Sequence, residues 1–217
     1  MKIQEITILT GDLAGTEEFY NQLMEFPVID KSSASISLQA GKSVLTFTFS
    51  GSSSPSYHFA FNIPENKIDE AYAWTARRVS ILPFNSETNI ADFSNWNAHA
   101  FYFHDNQKNI LEFIVHHDLM NTSGLPFSSS SITRICEIGV PVDDVTEACN
   151  DFLSIHGIPY FEKGPRSKDF AVMGDSNGLL IVTQAGRAWL PTQQPAEKHF
   201  TKVLFENKGF VGELIFY

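Results

Sequence analysis

The chain restates one supersecondary plan several times, and this constrains its fold more than any other property. EITILTGDLAGTEEFYNQL, from Glu5, reads as a short apolar strand followed by an amphipathic helix. EIGVPVDDVTEACNDFLSIHG, from Glu137, repeats that plan with Glu137 in the place of Glu5. Between them HFAFNIPENKIDEAYAWTARR, from His58, supplies a third strand and helix. Three strand-like segments follow each helix: FPVIDKS, ASISLQAG and SVLTFTFSG; then VSILPFN, AHAFYFHD and NILEFIVHH; then IPYFEKG, FAVMGDSNG and LLIVTQAG. A fourth unit starts at HFTKVLFEN and ends at GELIFY, without room for a helix. The expected fold class is α+β, built from tandem βαβββ modules with mixed four-stranded sheets flanked by helices. Asp12 and Asp143 stand where helices should begin, suited to capping free amides. Gly157 stands where the third helix should stop.

The segment LMNTSGLPFSSSS, residues 119–131, is rich in Ser and turn formers and reads as a linker. It divides the chain into a first domain, 1–118, of paired modules and a shorter second domain, 132–217. That second segment is expected to brace the first or to form the contacts of a homodimer. A formal charge of -10 argues against a nucleic-acid groove built from Lys and Arg. No apolar run approaches the roughly 20 residues of a membrane span, and MKIQEITILTGD enters a strand pattern at once. A cytoplasmic protein is expected, without nucleic-acid or membrane partners. Cys136 and Cys149 lack CxxC spacing and read as ordinary buried thiols.

Alternation along the strands sorts residues onto two faces. Phe59, Phe61 and Ile63 oppose His58, Ala60 and Asn62; Leu45, Phe47 and Phe49 oppose Val44, Thr46 and Thr48; Leu111, Phe113 and Val115 oppose Ile110, Glu112 and Ile114. The bulky face should pack against the helices. The other face, with Glu5, Thr46, His58, Tyr102 and Glu112, suits a cleft. A buried carboxylate is costly unless paired, protonated or bound to metal. With no Lys or Arg in these strands, two carboxylates beside an imidazole favour a divalent cation: Fe, Mn, Zn, Ni or Co. Glu5, His58 and Glu112 are therefore the expected ligands. His58 and Glu112 simply pairing with each other is the bland alternative. His99, His104, His116 and His117 read as structural or solvated. Glu137, His199 and Glu213 echo the three candidates, but a hairpin around residues 207–209 would offset the last two, so no second site is expected there.

The repeated unit, with His opening its second copy and Glu in that copy's last strand, resembles the vicinal oxygen chelate superfamily. That superfamily includes glyoxalase I, extradiol ring-cleaving dioxygenases, fosfomycin-resistance proteins and bleomycin-binding proteins. The resemblance covers residues 1 to about 117 well, and the rest weakly. It implies paired modules forming an open barrel-like cleft with metal inside. It carries the first ligand to Glu5, where His or Gln is more usual, and the others to His58 and Glu112. A further Glu ligand of some members falls on Thr46, so the glyoxalase I set is incomplete. Tyr102 precedes Glu112 by ten residues, as the active-site Tyr of extradiol dioxygenases precedes their ligand Glu. Tyr102 is thus the candidate acid or hydrogen-bond donor, and Thr46, Phe84 and Trp96 should shape the substrate pocket.

The expected function is a metal-dependent enzyme of glyoxalase or dioxygenase type. Its small substrate would chelate the metal through neighbouring oxygens. The alternative is a non-catalytic, bleomycin-resistance-like binding protein with a degenerate metal site.

Overall fold

A computed structural model describes residues 1–51 and 55–217. The first unit forms β1 (Lys2–Thr10), α1 (Leu13–Glu17, continuing as a π-helical turn over Glu18–Leu23), β2 (Val28–Lys31), β3 (Ser35–Ala40) and β4 (Ser43–Phe49). The second forms β5 (His58–Asn62), α2 (Ile68–Ala76), β6 (Ile81–Leu82), an extra short β7 (Ala91–Phe93), β8 (Ala98–His104) and β9 (Ile110–His116). The third forms β10 (Arg134–Val142), α3 (Val145–His156), β11 (Phe170–Asp175) and β12 (Gly178–Gln184). The fragment forms the hairpin β13 (Thr201–Asn207) and β14 (Phe210–Phe216). The segment IPYFEKG makes only an isolated bridge, Tyr160 with Met173. Pro159 before it offers no amide hydrogen to a ladder.

The sheets do not combine units one and two. Unit one joins the C-terminal hairpin in a six-stranded sheet ordered β14-β13-β1-β4-β3-β2. Unit two joins unit three in an eight-stranded sheet, β11-β12-β10-β5-β9-β8-β6, with β7 on β8. Both sheets therefore draw strands from either side of residues 119–131. That stretch is itself docked: Phe127 is buried, and its amide donates to Glu70 at 2.9 Å.

The bulky faces behave as alternation requires, except that Phe49, the last residue of β4, is half exposed. Ile6, Ile8, Leu45 and Phe47 of one sheet and Phe59, Phe61, Leu111 and Phe113 of the other are almost wholly removed from water in one core. Trp74 of α2 and Phe152 of α3 join it, so these faces meet the opposite sheet as well as helices. Phe26, just after α1, meets Phe61 edge-on at 5.4 Å, and Phe61 meets Phe113 at 5.9 Å. Deleting one such ring typically costs about 3–5 kcal/mol.

Asp12 caps α1, accepting from the Gly15 amide at 2.9 Å. In the third unit the cap is Asp144, which accepts from Glu147 at 2.9 Å. Asp143, one residue earlier, instead reaches Lys198 at 2.6 Å. Gly157 ends α3 at φ 63°, where a side chain would be strained. Among the described residues no helix is long and apolar enough to cross a membrane.

Candidate metal centre

Three neighbouring strands, β9, β5 and β10, place Glu112, His58 and Glu137 on one inner face. Glu112 and Glu137 lie on either side of Ala60, each directly paired with it. His58 is two residues along β5, so its ring rises from the same side. One donor atom from each of the three lies within 4.8 Å of the others. His58 Nε2 is 3.6 Å from Glu112 Oε2. The other ring nitrogen, Nδ1, is 3.1 Å from the Ile110 carbonyl. A carbonyl can only accept, so the proton belongs on Nδ1 and the Nε2 lone pair faces the carboxylates. That is the tautomer a metal ligand needs.

All three side chains are buried: His58 is 6%, Glu112 2% and Glu137 3% exposed. Burial lowers the His58 pKa to about 4 and raises that of Glu137 to about 8. Glu112 is pushed well above the carboxylate range by burial and by Glu137, against a hydrogen bond from Tyr102 that lowers it. Glu137 Oε1 has no hydrogen-bond partner. An unpaired buried carboxylate oxygen is expensive, and a cation would satisfy it.

The metal-free protein should carry this cost as a pH dependence. Between its ordinary pKa of 4.5 and about 8, folded Glu137 holds a proton that the unfolded chain has released. Its contribution is whole below about 4.5 and is lost as pH rises through 8. His58 and His116, both lowered to about 4, contribute fully above 6.5 and lose that contribution as pH falls toward 4. Between pH 6.5 and 8 only the Glu137 effect operates among these three. The melting temperature of chelator-treated protein is expected to fall across that interval, less steeply in Glu137→Gln. A flat or rising profile in the unmutated protein would contradict this.

Glu5 is not part of the group. It lies on β1 in the six-stranded sheet, where Thr46 donates to it at 2.8 Å and Thr7 at 3.3 Å. Thr46 is therefore remote from the cavity expected to use it. Alternation gave Glu5 and Thr46 the correct face of the wrong sheet, and Glu137 takes the third place.

The two sheets match in register where β1 pairs with β13 and β10 with β5. The bulge between Ile3 and Glu5 against β13 matches that between Ile135 and Glu137 against β5. In this matching Glu5 corresponds to Glu137 and Leu204 to Ala60. Lys202, not His199, then corresponds to His58. Glu213, paired with Leu204, takes the place of Glu112, paired with Ala60, although β14 runs antiparallel to β13 and β9 parallel to β5. In the six-stranded copy Lys202 Nζ lies 3.0 Å from Glu213, and Glu5 also helps to raise the lysine's pKa. One copy thus carries its own cation between two carboxylates. The other has the two carboxylates and an imidazole left neutral by its depressed pKa. His199 is instead 3.3 Å from Glu197.

A cavity of about 470 Å³ opens over His58, Tyr102, Glu112 and Glu137. Tyr102 is paired with Glu112 across β8 and β9, and burial, then Glu112 and Glu137, raise its pKa well above 10. The phenol is therefore a proton donor at neutral pH. Phe93, Trp96, Phe170 and Trp189 make aromatic walls, while Arg187 and Gln193 stand among the polar lining. Phe84 backs Phe93 at 6.3 Å without lining the cavity. Trp189 lies 5.1 Å from the His58 ring. It fits because Gly139 has no Cβ: one built there would meet the indole at 2.7 Å. Nothing in the pattern of GRAWLPTQQPAEK, an irregular segment between β12 and β13, marks Trp189 as part of this site.

No family model and no curated protein matches the chain. Solved structures do. A Bacillus subtilis protein provisionally assigned as a dioxygenase aligns over 99% of this chain and 84% of its own, with TM-score 0.61 and 12% identity. The V278E mutant of glyoxalase I from Zea mays aligns over 90% and 70%, with TM-score 0.58 and 13% identity. Unmutated Zea mays glyoxalase I aligns over 84% and 66%, with TM-score 0.56 and 14% identity. The chain shares the fold of these dioxygenase-named and glyoxalase I structures.

Proposed function

We propose that the chain is a metal-dependent enzyme in which His58, Glu112 and Glu137 hold a divalent cation. Its small substrate would chelate that cation through two neighbouring oxygens. The observation that carries this reading is the buried group of two carboxylates and one neutral imidazole, whose counterpart in the other sheet is neutralised by Lys202. Imidazole and carboxylate suit Fe, Mn, Zn, Co or Ni and leave positions open for a ligand. A cation bound there supplies Lewis acidity toward the ligand's oxygens.

The remaining roles belong to the chain. Tyr102, held protonated, donates a hydrogen bond or a proton to an oxygen of the substrate. The aromatic walls favour a flat, largely apolar body and exclude water from beside the carboxylates. Arg187, 3.4 Å from Asp169 and partly exposed, is available to an anionic substituent near the entrance. The similarity to proteins named dioxygenase and glyoxalase I supports the general class, not one reaction.

Calorimetry with a catechol and with its mono-hydroxy analogue tests this reading. Tight binding of the catechol should require Mn²⁺, Fe²⁺ or Zn²⁺, and the analogue with one oxygen should bind about tenfold or more weakly. Tyr102→Phe should weaken the catechol complex by a larger factor than it weakens metal binding, since the phenol also hydrogen-bonds Glu112. Equal affinity with and without metal would instead favour a non-catalytic binding module.

A further inference from the structure

We propose that His116, Cys136 and Glu137 form a second cation site, containing sulfur, beside the first and suited to a thiophilic divalent ion such as Zn²⁺. One donor atom from each lies within 4.8 Å of the others, and all three residues are buried. Tetrahedral zinc, with bonds of about 2.0–2.3 Å, sets its donors roughly 3.3–3.8 Å apart. The side chains would therefore close by up to about 1.5 Å on binding.

The local backbone makes the site. Simple alternation would send Cys136 and Glu137 to opposite faces of β10. The register against β5 slips between Ile135 and Glu137, however, leaving Cys136 as the extra residue of a bulge. Ile135 and Ile138 remain in the main core, whereas Cys136 packs with Ala60, Ala98, Ala100 and Ile114 of the inner face. Two consecutive donors therefore point to the same side. His116, at the end of β9, has the same parity as Glu112 and turns its ring toward them.

His116 supplies the independent sign of a missing ligand. It is 1% exposed, and neither ring nitrogen has a hydrogen-bond partner. Glu137 Oε1 is likewise unpartnered. A carboxylate has two oxygens, so Glu137 can serve both groups as a bridge. On ligation the Cys136 proton passes to solvent and the thiolate becomes the donor. Sulfur distinguishes the two sites chemically: the thiolate group favours zinc, while the group at His58 suits harder ions. The site shares Glu137 with the proposed metal centre but does not depend on that centre's occupancy.

Anaerobic titration of the full metal-free chain with Co²⁺ tests it, because thiolate ligation gives a near-ultraviolet charge-transfer band. The band is expected in the unmutated protein, with saturation near two equivalents. It should persist in Cys149→Ser and vanish in Cys136→Ser, and His116→Gln should weaken it about tenfold or more. X-ray absorption of the unmutated, zinc-saturated protein gives a reading independent of any variant's folding: a sulfur neighbour at about 2.3 Å is expected. No band at saturating Co²⁺, a band surviving Cys136→Ser, or nitrogen and oxygen neighbours alone would overturn the proposal. One equivalent bound without sulfur would overturn it while leaving the His58–Glu112–Glu137 centre standing. Binding of no metal would remove both.

Discussion

Glu137→Gln is expected to lower divalent-metal affinity at the His58–Glu112–Glu137 centre by about 100-fold or more. Gln keeps the size and one acceptor oxygen of Glu but loses the charge that balances the cation. Glu112 and His58 would remain, paired across β5 and β9 at 3.6 Å, and two ligands hold a first-row ion poorly. Glu5→Gln is the contrasting variant. Glu5 accepts from Thr46 and Thr7 in the other sheet, so its replacement should leave metal affinity unchanged. Competition against a fluorescent chelator measures both. Unmutated affinity in Glu137→Gln, or a large loss in Glu5→Gln, would restore the ligand set suggested by the repeat alone.

A fragment ending at residue 118 is expected to show no cooperative unfolding transition. It would lack β10 and β13, the antiparallel partners of β5 and β1. Phe59, Phe61, Ile3 and Ile6, all buried in the intact chain, would border open strand edges in a two-fold broken core. Losing contacts with Ile135, Ile138, Val203 and Phe205 removes more than the roughly 5–15 kcal/mol by which a native domain is stable. Urea denaturation followed by near-ultraviolet circular dichroism decides it. A sigmoidal transition with native aromatic signals would mean that 1–118 is an independent domain after all.

The local levels of this fold were legible in its residues. Alternation put Phe59, Phe61, Leu111 and Phe113 in the core and His58 and Glu112 on the opposite face, because each strand's faces depend only on its own pleat. The correspondence of Glu5 with Glu137 was equally readable, and the matching bulges of β1 and β10 preserve it. Sheet partnership was not readable. Whether β5 lies beside β1 or β10 depends on contacts between distant segments, such as the Lys42 amide donating to the Thr133 carbonyl at 2.8 Å. Sequence order favours neither arrangement. The site therefore took its third member from the wrong copy. The nearness of Cys136 to Glu137 and His116 was not readable for a different reason, since a single-residue bulge reverses the parity that every face assignment assumes. Trp189 and Arg187 escaped because their segment has no strand or helix periodicity to interpret.

A crystal of the full chain grown with Mn²⁺, measured at energies where manganese scatters anomalously, tests the central claim most directly. The expected result is a peak within bonding distance of His58 Nε2 and a carboxylate oxygen of both Glu112 and Glu137. A peak beside Glu5, or no peak on the inner face of the eight-stranded sheet at saturating metal, would contradict it.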